Sequence, residues 1–349
     1  MSKPRIGFVG VGGMGQCAHL RNYAAIPDCD VVAIAEVRPK LAAAVAAKYG
    51  VPKVYPDHKA MLAAEKLDGI VASQPFTRHG VLISDLASYG IPIFTEKPLA
   101  GNIAAGQKVL DALAAGGSWH MVGYHKRSDP ATMAGKAAIA DLQASGAAGK
   151  MRYVRILMPA GDWVANGFTD MIGSDDPMPP LEWDAPAEDM DAPTYERYIS
   201  FVNYYIHQVN LMRHLLGEPY KVVYADPTEV MLVVQSESGV TATIEMSPYT
   251  TSIDWQESAL VAFERAWVRI DLPAPLASNR PGKLEVYNDA APGGPVLTSP
   301  TLPWVHAMRQ QAINFVRAVK GEIPPMCTAQ EALQDLQAAR DYITLLTGK

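Results

Sequence analysis

Three stretches of this chain combine residue types and spacings that could do chemistry. Gly10, Gly12 and Gly15 form a G-x-G-x-x-G pattern, with Gly13 and Met14 between them, directly after the apolar run Arg5–Val9. In such a pattern the first glycine permits a tight strand-to-helix turn, and the second lets the backbone approach a pyrophosphate. The third lets helix and strand pack closely, while the helix N-terminus faces phosphate charge. The second stretch is Glu36, at the end of the next apolar run. An acidic residue about 20 residues after the glycines holds the adenosine ribose hydroxyls, and its charge repels a 2′-phosphate. Arg38, two residues on, could instead pair with that phosphate or stack on adenine. The expected cofactor is therefore NAD, with NADP left open by Arg38. The third stretch, Phe94–Leu99, reads F-T-E-K-P-L after a further apolar run. Ligands of open α/β sheets bind beyond the carboxyl ends of the strands, so Lys97 would point into the cofactor cleft. Pro98 pushes Lys97 towards an extended conformation and permits a cis bond.

These residues need elements that bring them together. Short apolar runs alternate with Ala-rich amphipathic stretches through the first third of the chain, the pattern of a parallel sheet covered by helices. Strands are expected at Arg5–Val9, Val31–Ala35, Gly69–Ala72, Ile91–Thr95 and Trp119–Val122, and helices at Gly13–Ala25 and Pro39–Lys48. Beyond Gly123 the pattern changes. Asp129–Gly146 reads as a helix and Lys150–Met158 as a strand, followed by a long irregular segment from about Ala160 to Pro193. Loops of that length inside a compact domain are usually functional or mobile. Ile199–Leu216 returns to helical spacing. Val222–Tyr224, Thr228–Ser236, Thr241–Pro248, Glu257–Phe263, Ala266–Leu272 and Lys283–Tyr287 read as strands, mostly antiparallel given their short connections. Helices Trp304–Lys320 and Ala329–Leu346 close the chain, the latter with Thr328 as N-cap.

The composition bounds the function. A chain of 349 residues suits two domains. Its net charge of −6 argues against nucleic-acid binding, for which a basic stripe is expected. No apolar run approaches the roughly 20 residues that span a bilayer, and no signal peptide is expected. Cys17, Cys29 and Cys327 are scattered, suit a reducing cytoplasm and form no metal-ligand spacing. No metal is expected.

Glu96-Lys97-Pro98, placed after a dinucleotide-binding start and before a strand-rich half, resembles the signature of the glucose–fructose oxidoreductase/inositol dehydrogenase (Gfo/Idh/MocA) family. Ser73-Gln74-Pro75 through His79 resembles that family's T-P-x-x-x-H loop near the nicotinamide. Val122-Gly123-Tyr124 with Arg127 and Pro130 resembles its crossover into a second domain, and Gly146–Val154 its turn into the first strand there. The family's helix with D-x-x-x-H-x-x-D is matched by Asn203 through Asn210, with asparagines at both aspartate positions. The i, i+4 spacing sets Asn203 and His207 on one helical face.

The resemblance covers essentially the whole chain and implies an α/β fold. It comprises a doubly wound Rossmann sheet over residues 1–124 and an α+β domain over residues 125–349, with a large, mostly antiparallel open sheet. It further implies hydride transfer between a nicotinamide and a secondary alcohol of a sugar, sugar derivative or cyclitol. His207 would accept the hydroxyl proton, and Lys97 would stabilise charge on the oxygen. Asn203 and Tyr124 would orient the ring, His125 would touch substrate, and Arg127 would steady the nicotinamide. Asn203 cannot ionise, which leaves the proton work to His207 and Lys97. Trp163 could offer a face to a sugar ring, with loop packing an equal alternative. The resemblance also implies a homodimer or homotetramer built on the second sheet, and the scattered cysteines place it in the cytoplasm. A redox-neutral NAD-dependent glycosidase or epimerase, and a non-catalytic NAD-sensing regulator, are the competing readings.

Overall fold

The computed structural model describes residues 2–348. The chain divides into two compact units, with one boundary between Tyr124 and His125. The first holds the residues up to Tyr124 together with Asn166–Asp189 and Met308–Leu336; the second holds His125–Ala165, Met190–Ala307 and the residues from Gln337 onward. The division at residue 124 read from the sequence left the segments 166–189 and 308–336 in the second domain. Their contacts put them with the first.

In the first unit the strands β1 (Arg5–Val9), β2 (Asp30–Ala35), β3 (Lys53–Tyr55), β4 (Gly69–Ala72), β5 (Ile93–Glu96) and β6 (His120–Gly123) form a parallel sheet in the order β3-β2-β1-β4-β5-β6. Apart from the edge strand β3, which is mostly exposed, the strands are short and largely buried, as expected of a parallel sheet covered on both faces. The order reverses between β1 and β4, so the loops leaving the carboxyl ends of β1, β2, β4 and β5 gather at one edge. Helices α1 (Arg21–Tyr23), α2 (Pro39–Tyr49), α3 (His58–Ala64), α4 (His79–Ala87) and α5 (Ile103–Gly116) connect the strands. Before α1 the chain winds as a π-helix over Gly15–Leu20, where regular α-helical turns were expected. Such stretches are rare and recur at functional sites.

Local chemistry accounts for several boundaries. α2 begins with Pro39, whose missing N–H is no loss at that position, and ends at Gly50 in the left-handed conformation. The side chains of Asp57 and Asn102 cap α3 and α5 by accepting from Ala60 N and Ala105 N, each at 2.8 Å. The core joins Ile6, Phe8, Ile34, Val71 and Phe94 to Phe315, which reaches them from the C-terminal part of the chain.

The second unit is built on a sheet of eight strands: β7 (Met151–Ala160), β8 (Tyr220–Ala225), β9 (Met231–Ser236), β10 (Thr241–Thr250), β11 (Glu257–Phe263), β12 (Ala266–Leu272), β13 (Lys283–Asn288) and β14 (Val296–Thr298). Their order is β14-β13-β12-β11-β7-β10-β9-β8. Neighbours are antiparallel except β7 and β10, which run parallel. Helices α6 (Pro130–Ser145) and α7 (Ala192–Leu216) belong to this unit, and α7 packs on β7 and β10. Alternation along β11 and β12 buries one face and leaves the other half-buried. α8 (Ala307–Val319) and α9 (Ala329–Thr347) close the chain. At Thr328, Glu331 N donates to Thr328 Oγ1 at 3.2 Å while Thr328 N donates to Glu331 Oε2 at 2.8 Å, a reciprocal capping box.

Candidate functional site

The nucleotide loop follows β1. Gly10 has φ +87°, and a Cβ there would lie 2.7 Å from the Ser73 carbonyl oxygen, so both conformation and packing demand glycine. A Cβ on Gly15 would lie 2.7 Å from the Gly10 carbonyl oxygen, the close helix–strand approach expected of the third glycine. Gly12 differs. A Cβ there meets nothing closer than Arg38 Nη2 at 3.7 Å, so the fold does not require glycine at this position. The space it leaves fits the close approach of a pyrophosphate to backbone N–H groups.

Glu36 is buried at the end of β2. Its Oε2 accepts from Val11 N at 2.9 Å and Arg38 Nη2 at 3.1 Å; its Oε1 accepts from Arg38 Nε at 2.8 Å and Arg38 N at 3.2 Å. Four donors fill the acceptor capacity of a carboxylate, so ribose hydroxyls binding there must displace Arg38. The Glu36 carboxylate holds the Arg38 pKa above its ordinary value, against the opposing effect of burial.

The loop after β4 carries Ser73, Gln74 and Pro75. Gln74 Oε1 accepts from Arg78 Nη1 at 2.8 Å. His79, fully buried, ties this loop to the one after β5. Its Nε2 lies 3.3 Å from Gln74 O, and its Nδ1 lies 3.1 Å from Pro98 O. Burial pushes the His79 pKa down, against the effect of these carbonyls, so a neutral ring donates to one side at a time. Lys97 is half-buried and precedes a cis bond to Pro98. Its backbone N–H donates to Glu96 Oε2 at 3.3 Å, and Glu96 Oε1 sits 2.7 Å from His19 Nε2. In sequence His19 has no visible partner. The strand that places Glu96 lies 77 residues from it, a distance no local pattern spans.

Within the second unit, the one turn of 3-10 helix at His125–Ser128 packs against α7. Asp191 caps α7 by accepting from Thr194 N at 2.9 Å, and Tyr198, Val202, Ile206 and Val209 form its buried face. Asn203 is exposed and His207 half-buried, one turn apart. The His207 ring meets the His125 ring edge to face, with centroids 4.5 Å apart. Arg127 is buried and donates from Nε to Asn210 Oδ1 at 2.6 Å, so the second asparagine of the motif joins the turn to the helix. Between these, Glu257 at the start of β11 is buried and accepts from Gln208 Nε2 at 2.7 Å and Trp255 Nε1 at 3.2 Å. It also forms a short ion pair with buried Lys126. The elements carrying His125 and His207 are thus locked by one buried charged network, which no spacing in the sequence marks. Trp163 is exposed, and its carbonyl accepts from Leu276 N at 3.2 Å. Tyr124 is buried at the end of the first unit.

The segment 166–189 is the larger surprise. It lies on the first unit and follows the nucleotide loop. Gln16 grips Ile172 from both sides of its side-chain amide: Nε2 donates to Ile172 O at 3.0 Å, and Oε1 accepts from Ile172 N at 2.9 Å. Met171 and Phe168 lie beside Gly13. Asp170 pairs with Arg21 at 3.2 Å and Lys48 at 3.1 Å, Asp175 pairs with Lys40 at 2.8 Å, and Asp184 accepts from Gly80 N at 2.8 Å.

Residues 4–124 match the model of an oxidoreductase family described as having an NAD-binding Rossmann fold, Gfo/Idh/MocA. Inositol 2-dehydrogenase of Acidothermus cellulolyticus is 32% identical over 134 residues, which are 38% of this chain and 39% of that protein. The chain thus spans about two fifths of that relative's length. The rhizopine catabolism protein MocA of Rhizobium meliloti is 25% identical over 99% of this chain and 96% of its own length. A crystal structure of an oxidoreductase from Agrobacterium radiobacter, in complex with NAD+, L-tartaric acid and magnesium, superposes with a TM-score of 0.70. It is 16% identical and covers 100% of this chain and 98% of that one. This last likeness is one of fold. Among the described residues no helix is long and apolar enough to cross a membrane.

Proposed function

We propose, from the premise that the chain belongs to the Gfo/Idh/MocA oxidoreductase family, that it is an NAD-dependent dehydrogenase acting on a secondary alcohol of a sugar, sugar derivative or cyclitol. The observation that carries this reading is the first unit's nucleotide loop. Gly12 is open where the fold itself needs no glycine, with buried Glu36 at the next strand end and Lys97 held beyond β5. Inositol 2-dehydrogenase among the relatives supports a polyhydroxylated ring as substrate. Gly10, Gly12, Gly13, Met14 and Gly15 would hold the pyrophosphate, Glu36 and Arg38 the adenosine end, and Ser73, Gln74, Pro75 and His79 the nicotinamide side. When bound, NAD supplies the hydride acceptor.

In the oxidative direction His207 accepts the proton of the substrate hydroxyl. Its edge contact with His125 and the neighbouring Glu257 network fix the direction of the ring. Lys97 donates a hydrogen bond to the carbinol oxygen and stabilises the negative charge that grows on it. Its direction is set by the braces on either side, Glu96 with His19, and His79 on the Pro98 carbonyl. Asn203 and Tyr124 orient hydroxyls, and Arg127 acts through Asn210 by holding α7. The half-buried outer face of β11 and β12 supports assembly into a homo-oligomer, and we place the enzyme in the cytoplasm.

The test is a panel of cyclitols, aldoses and glycosides incubated with the full chain and NAD+, following NADH absorbance. NADH formed with at least one polyol is the expected outcome. Sugar release without NADH would overturn the dehydrogenase reading in favour of a redox-neutral one.

A further inference from the structure

Around the N-terminus of α2, three carboxylates engage the first backbone donors and both neighbouring cationic side chains. Pro39, the first helical residue, has no N–H. The next backbone donors, Lys40 N and Leu41 N, both turn to Asp176; its Oδ2 accepts from Leu41 N at 3.0 Å. The Lys40 ammonium pairs with Asp175 at 2.8 Å, and the Arg38 guanidinium is bound through Nε and Nη2 to Glu36. Asp176 is no incidental surface acid. Ser174 Oγ donates to it at 2.6 Å, Asp176 N donates back to Ser174 Oγ at 3.0 Å, and the Gln16–Ile172 clasp fixes the segment upstream. Although desolvation works against it, the Ser174 hydroxyl and the α2 backbone donors lower the Asp176 pKa, so the group is anionic at neutral pH.

A free helix N-terminus with Arg and Lys beside it would be a ready site for a phosphate group. Here that place is filled by a carboxylate delivered from more than 130 positions away in sequence. A nucleotide whose ribose lies at Glu36 and carries a 2′-phosphate would meet Asp176 there, find no backbone donor free and face two further acids. A nucleotide with a plain 2′-hydroxyl pays none of this.

We infer that Asp176 is a determinant of cofactor specificity, seated on the N-terminus of α2 by the segment 166–189 so that the site admits NAD and rejects NADP. This rests on the reading that places the adenosine ribose at Glu36. It assigns the segment a chemical role beyond packing and makes the discrimination depend on two parts of the chain distant in sequence.

The test is isothermal titration calorimetry of NAD+ and of NADP+ into the full chain and into Asp176→Asn and Asp176→Glu. The wild type is expected to bind NAD+ more tightly. Asp176→Asn is expected to tighten NADP+ about tenfold, the scale of removing one like charge near a phosphate, with NAD+ unchanged within about twofold. Asp176→Glu keeps the charge and is expected to retain most of the wild-type ratio. If Asp176→Asn weakens both nucleotides alike, or changes neither, the inference is overturned. It is overturned equally if Asp176→Glu relaxes the ratio as much as Asp176→Asn. Failure of the wild type to bind NAD+ would overturn instead the nucleotide reading beneath it, and the two failures are told apart by that single titration.

Discussion

The nucleotide loop and the segment that runs beside it lie together in the first unit, yet they are built by opposite means. The loop is local: four glycines within six residues, a strand before and a helix after, with Gly10 and Gly15 set by backbone conformation or close packing and Gly12 left open. The segment 166–189 has no strand or helix of its own, and side-chain pairs with residues more than 100 positions away hold it in place. The first kind of structure is written in spacing. The second is written in complementary charges and one amide clasp, and it can change without disturbing the fold beneath. That difference suggests where the protein keeps its chemistry fixed and where it adjusts specificity.

The sharpest way to break this comparison is within the loop itself. Gly12→Val is expected to weaken NAD+ binding by about a hundredfold, by filling the space of the pyrophosphate, and to leave the thermal midpoint unchanged. A fall in the midpoint would mean the fold also needs that glycine. Gly10→Ala should do the reverse. A left-handed φ and a 2.7 Å approach to a carbonyl oxygen predict a loss of about 2 kcal/mol or more in urea unfolding.

Acid titration should likewise separate the sheet beneath the loop from the segment 166–189. His120, fully buried at the start of β6, has its Nε2 2.8 Å from Thr95 Oγ1, and desolvation drives its pKa down to about 3. A histidine depressed on folding contributes stability that is present above its unfolded pKa, about 6.5. That stability is lost as pH falls from there towards 3. At pH 5 this amounts to about 2 kcal/mol, and His120→Gln should flatten the pH dependence of the unfolding free energy between pH 7 and 5. By contrast, Lys48 and Arg21 lower the pKa of Asp170 on the segment, and no loss from that group is expected until the pH nears its ordinary value of about 3.8. An unchanged slope in His120→Gln would show that the acid sensitivity lies elsewhere.

The smallest expected effect is Gln16→Ala, which removes the clasp on Ile172. The Ile172 groups are only part-buried and can turn to water, but buried Val11 O also loses its 2.9 Å bond from Gln16 Nε2, so global stability should fall by about 1–2 kcal/mol. The amide of Ile172 should nevertheless exchange with solvent faster, and NADP+ should gain on NAD+ as Asp176 loses its seat. Unchanged exchange at Ile172 would mean the segment is held by its ion pairs instead.

Much of this was legible in the sequence for physical reasons. Apolar periodicity marked the strands of both sheets, with Glu257–Phe263 and Ala266–Leu272 read to the residue. Pro39, Gly50 and Thr328 announced helix ends because their backbone or side chain can do little else there. Two edge strands escaped, Lys53–Tyr55 and Val296–Thr298. Each has three residues, too few for an alternating pattern. The roles of His19, Gln16, Lys126 and Asp176 were out of reach because each is defined by a partner far along the chain. A lone buried histidine or lysine looks the same in sequence whether or not a carboxylate awaits it. Asn210 is the intermediate case: its position was marked by a motif, while its use, binding Arg127, emerged from the fold.

Hydride transfer between the nicotinamide and a carbinol carbon would be seen most plainly as isotope transfer. A cyclitol or aldose accepted by the enzyme, deuterated at the oxidised carbon, is incubated with NAD+, and the NADH is recovered for mass spectrometry. One deuterium per NADH is expected, with the signal lost in Lys97→Ala and in His207→Ala while NAD+ binding persists. Unlabelled NADH, or full transfer in both variants, would contradict it.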